Sequence, residues 1–259
     1  MAALKLDHVS KQFGGLKAVD DVCISIEEGG LHGLIGPNGA GKTTVFNLIT
    51  GIYKPTSGEI WLGDRRIDGQ SPHMIAEYGC TRTFQNLRLF AKESILDNVR
   101  IAGALRTTTY NYFDAIFKTP KYRREEKALR EWSMEILENL GLADRADTLA
   151  SNLPYGLQRR MEIARAIATK PKVLLLDEPA AGMNPEETLS LMETISAVRK
   201  KFGLTILLIE HHMDMVMEIC EHLTVLNFGA TIAAGTPEEI QANPVVVEAY
   251  LGKEGEDEA

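Results

Sequence analysis

The run Gly36-Pro37-Asn38-Gly39-Ala40-Gly41-Lys42-Thr43 restricts this chain more than any other segment. It fits the pattern GxxxxGK[ST], follows the apolar stretch Leu31–Ile35 and opens a helical pattern over 42–50. Glycines let a backbone wrap closely around phosphate oxygens, so that successive N–H groups point inward. A helix N-terminus adds the positive end of its dipole. Lys42 carries a positive charge to the β- and γ-phosphates of a nucleotide, and the Thr43 hydroxyl is a ligand for Mg²⁺. Thr44, the next residue, completes the candidate phosphate set. A ligand-free glycine turn has no use for the Lys-Thr pair.

A phosphate loop of this kind sits at the C-terminal edge of a parallel sheet, and that edge also needs a carboxylate. Val173-Leu174-Leu175-Leu176-Asp177-Glu178 supplies one: four apolar residues of a buried strand end in two acids. Asp177 is the candidate Mg²⁺ ligand. Glu178, one residue on, is the candidate general base for an attacking water.

The rest of the chain agrees with an α/β fold. Leu4, Leu6 and His8 alternate with Lys5, Asp7 and Val9, and Val22, Ile24 and Ile26 alternate with Cys23 and Ser25. Both stretches read as strands. Turns follow at Glu27-Glu28-Gly29-Gly30 and Pro55-Thr56-Ser57-Gly58, and a strand at 59–62. From 83 to 168 helical periodicity dominates, with Ile95, Val99 and Ala102 on one face and Trp132, Ile136 and Leu140 repeating it. Between them an aromatic-rich connection, 110–122, carries no clear pattern. Strand Val173–Asp177, helix Pro185–Phe202 and strand 205–210 then resume the alternation; the helix has Leu189, Met192, Ile195 and Val198 at helical spacing. Strands separated by helices imply a mainly parallel sheet covered on both faces.

Composition narrows the function. The chain has 259 residues, 44% apolar and 25% charged, with 28 Lys and Arg against 36 Asp and Glu, for a net charge of −8. That balance argues against gripping nucleic-acid phosphates as the main work. No run approaches the roughly 20 apolar residues of a membrane-spanning helix, and the N-terminus has no apolar signal region. The expected location is therefore cytoplasmic, with any membrane link running through a partner. Cys23, Cys80 and Cys220 are few, odd in number and far apart, and are expected to be three buried thiols rather than a disulfide or zinc set.

With the segments between and after them, the two phosphate-site motifs resemble the ABC ATPase family over nearly the whole chain. The resemblance implies a P-loop NTPase core with a mainly parallel sheet, an N-terminal antiparallel β-subdomain and a helical insertion subdomain. The core and β-subdomain would take about 1–82 and 169–259, the insertion about 83–168, and an acidic tail about 253–259. Thr83-Phe84-Gln85-Asn86 matches the family's Q-loop, placing Gln85 near Mg²⁺ and the lytic water. Glu210-His211 matches the switch histidine, with His212 beside it as the alternative. Phe13 sits where the family stacks an aromatic ring on adenine. The signature segment, usually Leu-Ser-Gly-Gly-Gln, is Leu153-Pro154-Tyr155-Gly156-Leu157 here, and Asn184 stands where the family usually has Asp.

These departures resemble one subfamily, the ATP-binding subunits of branched-chain amino acid (LIV-type) importers. The stretches Phe13-Gly14-Gly15-Leu16-Lys17-Ala18-Val19, Arg82-Thr83-Phe84-Gln85-Asn86-Leu87-Arg88-Leu89-Phe90 and Ala249-Tyr250-Leu251-Gly252 point the same way. The resemblance implies ATP and Mg²⁺ as ligands, and a homo- or heterodimer with a second ABC ATPase subunit. It also implies integral-membrane permease subunits holding this chain to the inner face of the membrane, and indirectly a periplasmic or extracellular substrate-binding protein. Leu153, Pro154, Tyr155 and Gly156 would face nucleotide across the dimer. Sibling systems, a urea or amide importer or a lipopolysaccharide exporter, and a soluble ABC ATPase are the other readings.

Overall fold

In the computed structural model the described residues are 2–83, 89–210 and 213–251, and they fall into two compact units. The first comprises Met1–Arg82, Lys172–Pro179 and Arg199–Ala259; the second comprises Thr83–Pro171 and Ala180–Val198.

The first unit is built on a sheet of ten strands. β1 (Ala2–Phe13) and β2 (Leu16–Glu27) form a long antiparallel hairpin. On its far side β1 pairs antiparallel with β4 (Ser57–Leu62), which pairs with β5 (Arg65–Arg66). The parallel part contains β3 (Leu31–Ile35), β6 (Cys80–Arg82), β7 (Val173–Asp177) and β8 (Thr205–Ile209). A hairpin of β9 (His222–Asn227) and β10 (Ala230–Gly235) completes it: β9 runs parallel to β3, and β10 meets β2 at the pair Ala230–Asp20. The order is β5-β4-β1-β2-β10-β9-β3-β8-β7-β6. β3, β7 and β8 are buried at every position, as parallel strands covered on both faces require. The helices of this unit are α1 (Lys42–Ile49), α2 (Pro72–Tyr78), α8 (Met213–Ile219), α9 (Pro237–Gln241) and α10 (Pro244–Leu251).

Three expectations are corrected. In β1 the buried position after Leu6 is taken by Val9, while His8 is exposed. The register against β2 shifts between Leu6 and Val9, and His8 adopts φ +51. An extra residue in one strand moves every later side chain to the other face, so the apolar Val9 turns inward and the imidazole goes to solvent. There its Nδ1 lies 2.8 Å from Asp21 Oδ1. Cys80 and Cys220 are buried, but Cys23 is exposed, because it alternates with the buried Val22 and Ile24.

The second unit is helical: α3 (Ile95–Thr107), α4 (Tyr112–Phe117), α5 (Pro120–Asn139), α6 (Tyr155–Ala168) and most of α7 (Pro185–Phe202). α3 packs on α5 and α6. Gly103 permits the approach, since a Cβ there would lie 2.9 Å from Leu129 Cδ1. The patternless connection resolves into α4 and the first turn of α5. Asn111 and Asp114 form a capping box on α4, and Thr119 caps α5 with Pro120 at its first position. α7 carries the third correction: it buries Thr188, Leu191, Met192, Ile195 and Val198, and leaves Leu189 exposed. Leu189 follows Thr188 by one residue, about 100° around the helix from that stripe.

Candidate functional site

The glycine loop leaves the buried end of β3 and returns as α1. Gly36, Gly39 and Gly41 take φ of +148°, +79° and +103°. At two of these a side chain has no room. A Cβ on Gly36 would lie 2.1 Å from the Leu226 carbonyl oxygen, and one on Gly41 would lie 2.5 Å from that of Ala18. Only glycine accepts both the dihedral and the approach. Gly41 is also the N-cap of α1 and brings no side chain to the first N–H groups of the helix. Lys42 is buried, and its ammonium donates to the carbonyls of Gly36 at 2.6 Å and Pro37 at 3.0 Å. The loop thus positions its own cation.

Around the loop lies a cleft of about 480 Å³. Asn38 through Thr44 form one wall, and Phe13, Leu16, Phe228 and Glu178 also line it. Gly36 and Pro37 are buried beneath it. Phe13 is exposed and meets Tyr53 edge-on at 5.1 Å, with the Lys11 ammonium 4.9 Å from its ring centre. A ring held from beneath with an open face is a stacking platform. Phe228 is a second exposed aromatic, on the β9–β10 turn at φ +46. Sequence reasoning missed it, and its Phe-Gly turn was the available signal.

β7 delivers Asp177 buried at the end of the strand, while Glu178 turns out at φ +47 with its N–H donating to Ile209 O at 2.9 Å. Left-handed backbone at a non-glycine residue is the kind of local strain that functional sites carry. Here it separates two adjacent acids: Asp177 stays in the interior and Glu178 faces the cleft. Arg82, at the end of β6, donates from Nη2 to Asp177 Oδ2 at 2.6 Å and from Nη1 to Asn47 Oδ1 at 2.7 Å. Arg82 had only its place beside the Q-loop motif to mark it in the sequence. The Thr43 hydroxyl and the Asp177 carboxylate are hard oxygen donors of the kind Mg²⁺ takes, so the residues present fit that ion. Gln85, His211 and His212 lie outside the described residues.

In the second unit, Leu153 is buried, Pro154 is the N-cap of α6, and Tyr155 opens that helix. The Tyr155 hydroxyl donates to Ala181 O at 2.9 Å and accepts from Arg159 Nε at 3.0 Å. Its ring covers Gly182, where a Cβ would stand 3.4 Å from Tyr155 Cε1. Gly156 is buried against Glu187. Asn184 Oδ1 accepts from Glu187 N at 2.9 Å, while Glu187 Oε2 accepts from Asn184 N at 3.2 Å. That reciprocal pair caps α7, so Asn184 has a structural task an Asp would perform equally. Pro154, Gly156, Arg160, Met183 and Glu187 line a hollow of about 330 Å³ at this helix start.

The family profile described as ABC transporter matches residues 19–181. The chain belongs to the ABC transporter family. A second profile, described as branched-chain amino acid ATP-binding cassette transporter, matches residues 230–256 of this ABC subunit. The high-affinity branched-chain amino acid transport ATP-binding protein BraF of Pseudomonas aeruginosa is 47% identical over 250 residues, 96% of this chain and 98% of the relative. LivG of Escherichia coli K12, of the same description, is 46% identical with the same coverage. Among solved structures, the ADP conformation of MJ1267, an ATP-binding cassette of an ABC transporter, aligns with TM-score 0.84 at 33% identity, covering 98% of this chain and all of that one. The antiparallel strands beside a parallel core, with a helical unit, are the fold of an ABC ATPase. Among the described residues no helix is long and apolar enough to cross a membrane.

Proposed function

We propose that this ABC ATPase energises the import of branched-chain amino acids. The carrying observation is the glycine-loop cleft, which Lys42, Thr43 and Glu178 line together. Identity near one half to BraF and LivG over nearly the whole chain supports the substrate.

In this reading the loop amides from Gly36 to Thr44 and the Lys42 ammonium hold the ATP phosphates, and Phe13 takes the adenine ring. Thr43 and Asp177, with Gln85, would hold Mg²⁺, which when bound neutralises charge on the β- and γ-phosphates. Glu178 accepts the proton of the attacking water, and His211 orients that water at the γ-phosphate. The segment from Leu153 to Gly156 presents the start of α6 to nucleotide held by a second ABC ATPase subunit. Pro154 and Tyr155 bring no serine hydroxyl to it, so in a dimer with a different ABC ATPase subunit the two ATP sites are unequal. Permease subunits hold the assembly on the cytoplasmic face of the membrane, and a substrate-binding protein outside supplies the amino acid.

The test is uptake of labelled leucine, isoleucine and valine by the assembled transporter, beside urea and short amides, with native chain and with Glu178→Gln. Loss of the general base is expected to lower ATP turnover at this chain's site about 10²–10⁴-fold and to stop uptake. Unchanged turnover would remove Glu178 from its role. Uptake of urea or amides instead of branched-chain amino acids would overturn the substrate.

A further inference from the structure

α4 is a helix that buries nothing. Tyr112, Phe113, Ile116 and Phe117 are 91%, 64%, 74% and 65% exposed, and Leu105 on the preceding helix is 85% exposed. The rings of Phe113 and Phe117 touch each other, centroids 4.4 Å apart. Packing therefore does not explain why this segment is helical. Its caps do: the Asn111–Asp114 capping box at the start, and Lys118 at φ +47 at the end, whose N–H reaches Asp114 O. The helix is a preformed apolar wedge held out from its unit.

The charges around it lean basic. Between 105 and 126 the basic residues are Arg106, Lys118, Lys121, Arg123 and Arg124, against the acids Asp114, Glu125 and Glu126, in a chain of net charge −8. All the basic residues but Lys121 are exposed. The last two acids are turned to structural use. Glu125 accepts from the N–H groups of Thr109 and Tyr110 and from the Thr109 hydroxyl, at 2.7–3.1 Å. Glu126 accepts from Tyr110 OH at 2.7 Å and Arg100 at 2.6 Å. What remains for a partner is aromatic and aliphatic surface with a basic border.

We propose that α4 and its basic flanks insert into the headgroup region of an anionic lipid bilayer. Exposed Phe113, Ile116 and Phe117 gain by burial at that interface, the Tyr112 ring offers an apolar body with a polar tip, and each nearby Lys or Arg adds attraction to anionic headgroups. The local positive charge is what a net-negative chain needs to approach such a surface. The proposal reaches beyond the transporter reading, which requires only permease subunits as the membrane link.

The experiment is co-sedimentation of the full chain with vesicles of phosphatidylcholine containing phosphatidylglycerol, and with vesicles of phosphatidylcholine alone. Binding is expected to the first and to be much weaker to the second. Phe113→Ser with Phe117→Ser is expected to weaken it roughly tenfold. Arg123→Gln with Arg124→Gln is expected to weaken it about fivefold per charge, in a salt-dependent way. Both pairs are exposed, and native thermal midpoints and ATP turnover in vesicle-free solution are expected to confirm intact variants. Absence of binding to the anionic vesicles, or binding by both variants as tight as that of the native chain, would overturn the proposal. So would variants that lose permease subunits on purification while the native chain ignores vesicles, which would assign α4 to a protein partner. ATP turnover tests the transporter reading separately, so the two failures are distinguishable.

Discussion

Arg82 Nη2 stands 2.6 Å from Asp177 Oδ2, with both side chains more than nine-tenths buried. The carboxylate at the end of β7 is therefore held by a cation from the adjacent strand β6, one position before the described chain reaches Thr83. Breaking such a buried pair from one side removes a close opposite charge and costs about 3–5 kcal/mol. Arg82→Met is expected to lower the thermal midpoint by about 10 °C. Adding Asp177→Asn to that variant should recover part of the loss, as a double-mutant cycle by urea unfolding would read. Additive losses would mean that the pair is not coupled.

The glycine loop gives a graded series. Gly36→Ala would drive a Cβ to 2.1 Å from Leu226 O, and Gly41→Ala to 2.5 Å from Ala18 O, whereas a Cβ on Gly39 meets nothing within 4 Å. Gly39→Ala is expected to cost only the left-handed backbone, about 1–2 kcal/mol. The other two must move backbone, and are expected to lose nucleotide binding as well as stability. Fluorescent-nucleotide titration beside thermal melting separates the three; equal behaviour of all three would count against the close approach.

Tyr155→Phe keeps the ring over Gly182 but removes the hydroxyl that joins Arg159 to Ala181 O. With Arg159 buried, the loss of that acceptor is expected to cost about 1–3 kcal/mol. Calorimetry reads the stability. If the unit melts unchanged, the hydroxyl does not tie α6 to the loop that precedes α7.

Acid should destabilise the first unit through His32. Burial, with a smaller push from His222, lowers this imidazole from the ordinary 6.5 to about 4. Its Nε2 lies 2.9 Å from Thr224 Oγ1 on β9. Between those two values the unfolded chain binds the extra proton. The contribution is thus fully present above pH 6.5, falls as pH drops, and is exhausted below about 4. It amounts to about 3 kcal/mol. Urea unfolding across that window should show the slope, and His32→Gln should flatten it by about one proton.

The site was legible where chemistry and backbone share one short segment. The loop from Gly36 to Thr44 and the Asp177-Glu178 pair are contiguous, so spacing alone fixed their arrangement at a sheet edge. Arg82 and Phe228 were not legible. Their roles come from pairings across 95 residues in one case and from a strand turn in the other. The bulge at His8 was missed for a similar reason: alternation reads one strand, while register belongs to two. The aromatic stretch around α4 resisted reading because its helix has no buried face to impose a period.

By itself the sequence determined the class of fold, the glycine loop between β3 and α1 and the carboxylates at its sheet edge, because each depends on local dihedrals and on spacing of two or three residues. Only the tertiary structure decided that Asp177 turns inward to Arg82 while Glu178 turns out to the cleft. It also decided that Cys23 faces solvent and that Tyr155 ties its helix to Ala181. Those outcomes depend on which distant strands and loops become neighbours. Burial and hydrogen bonding between segments set that, and no single window of sequence contains it.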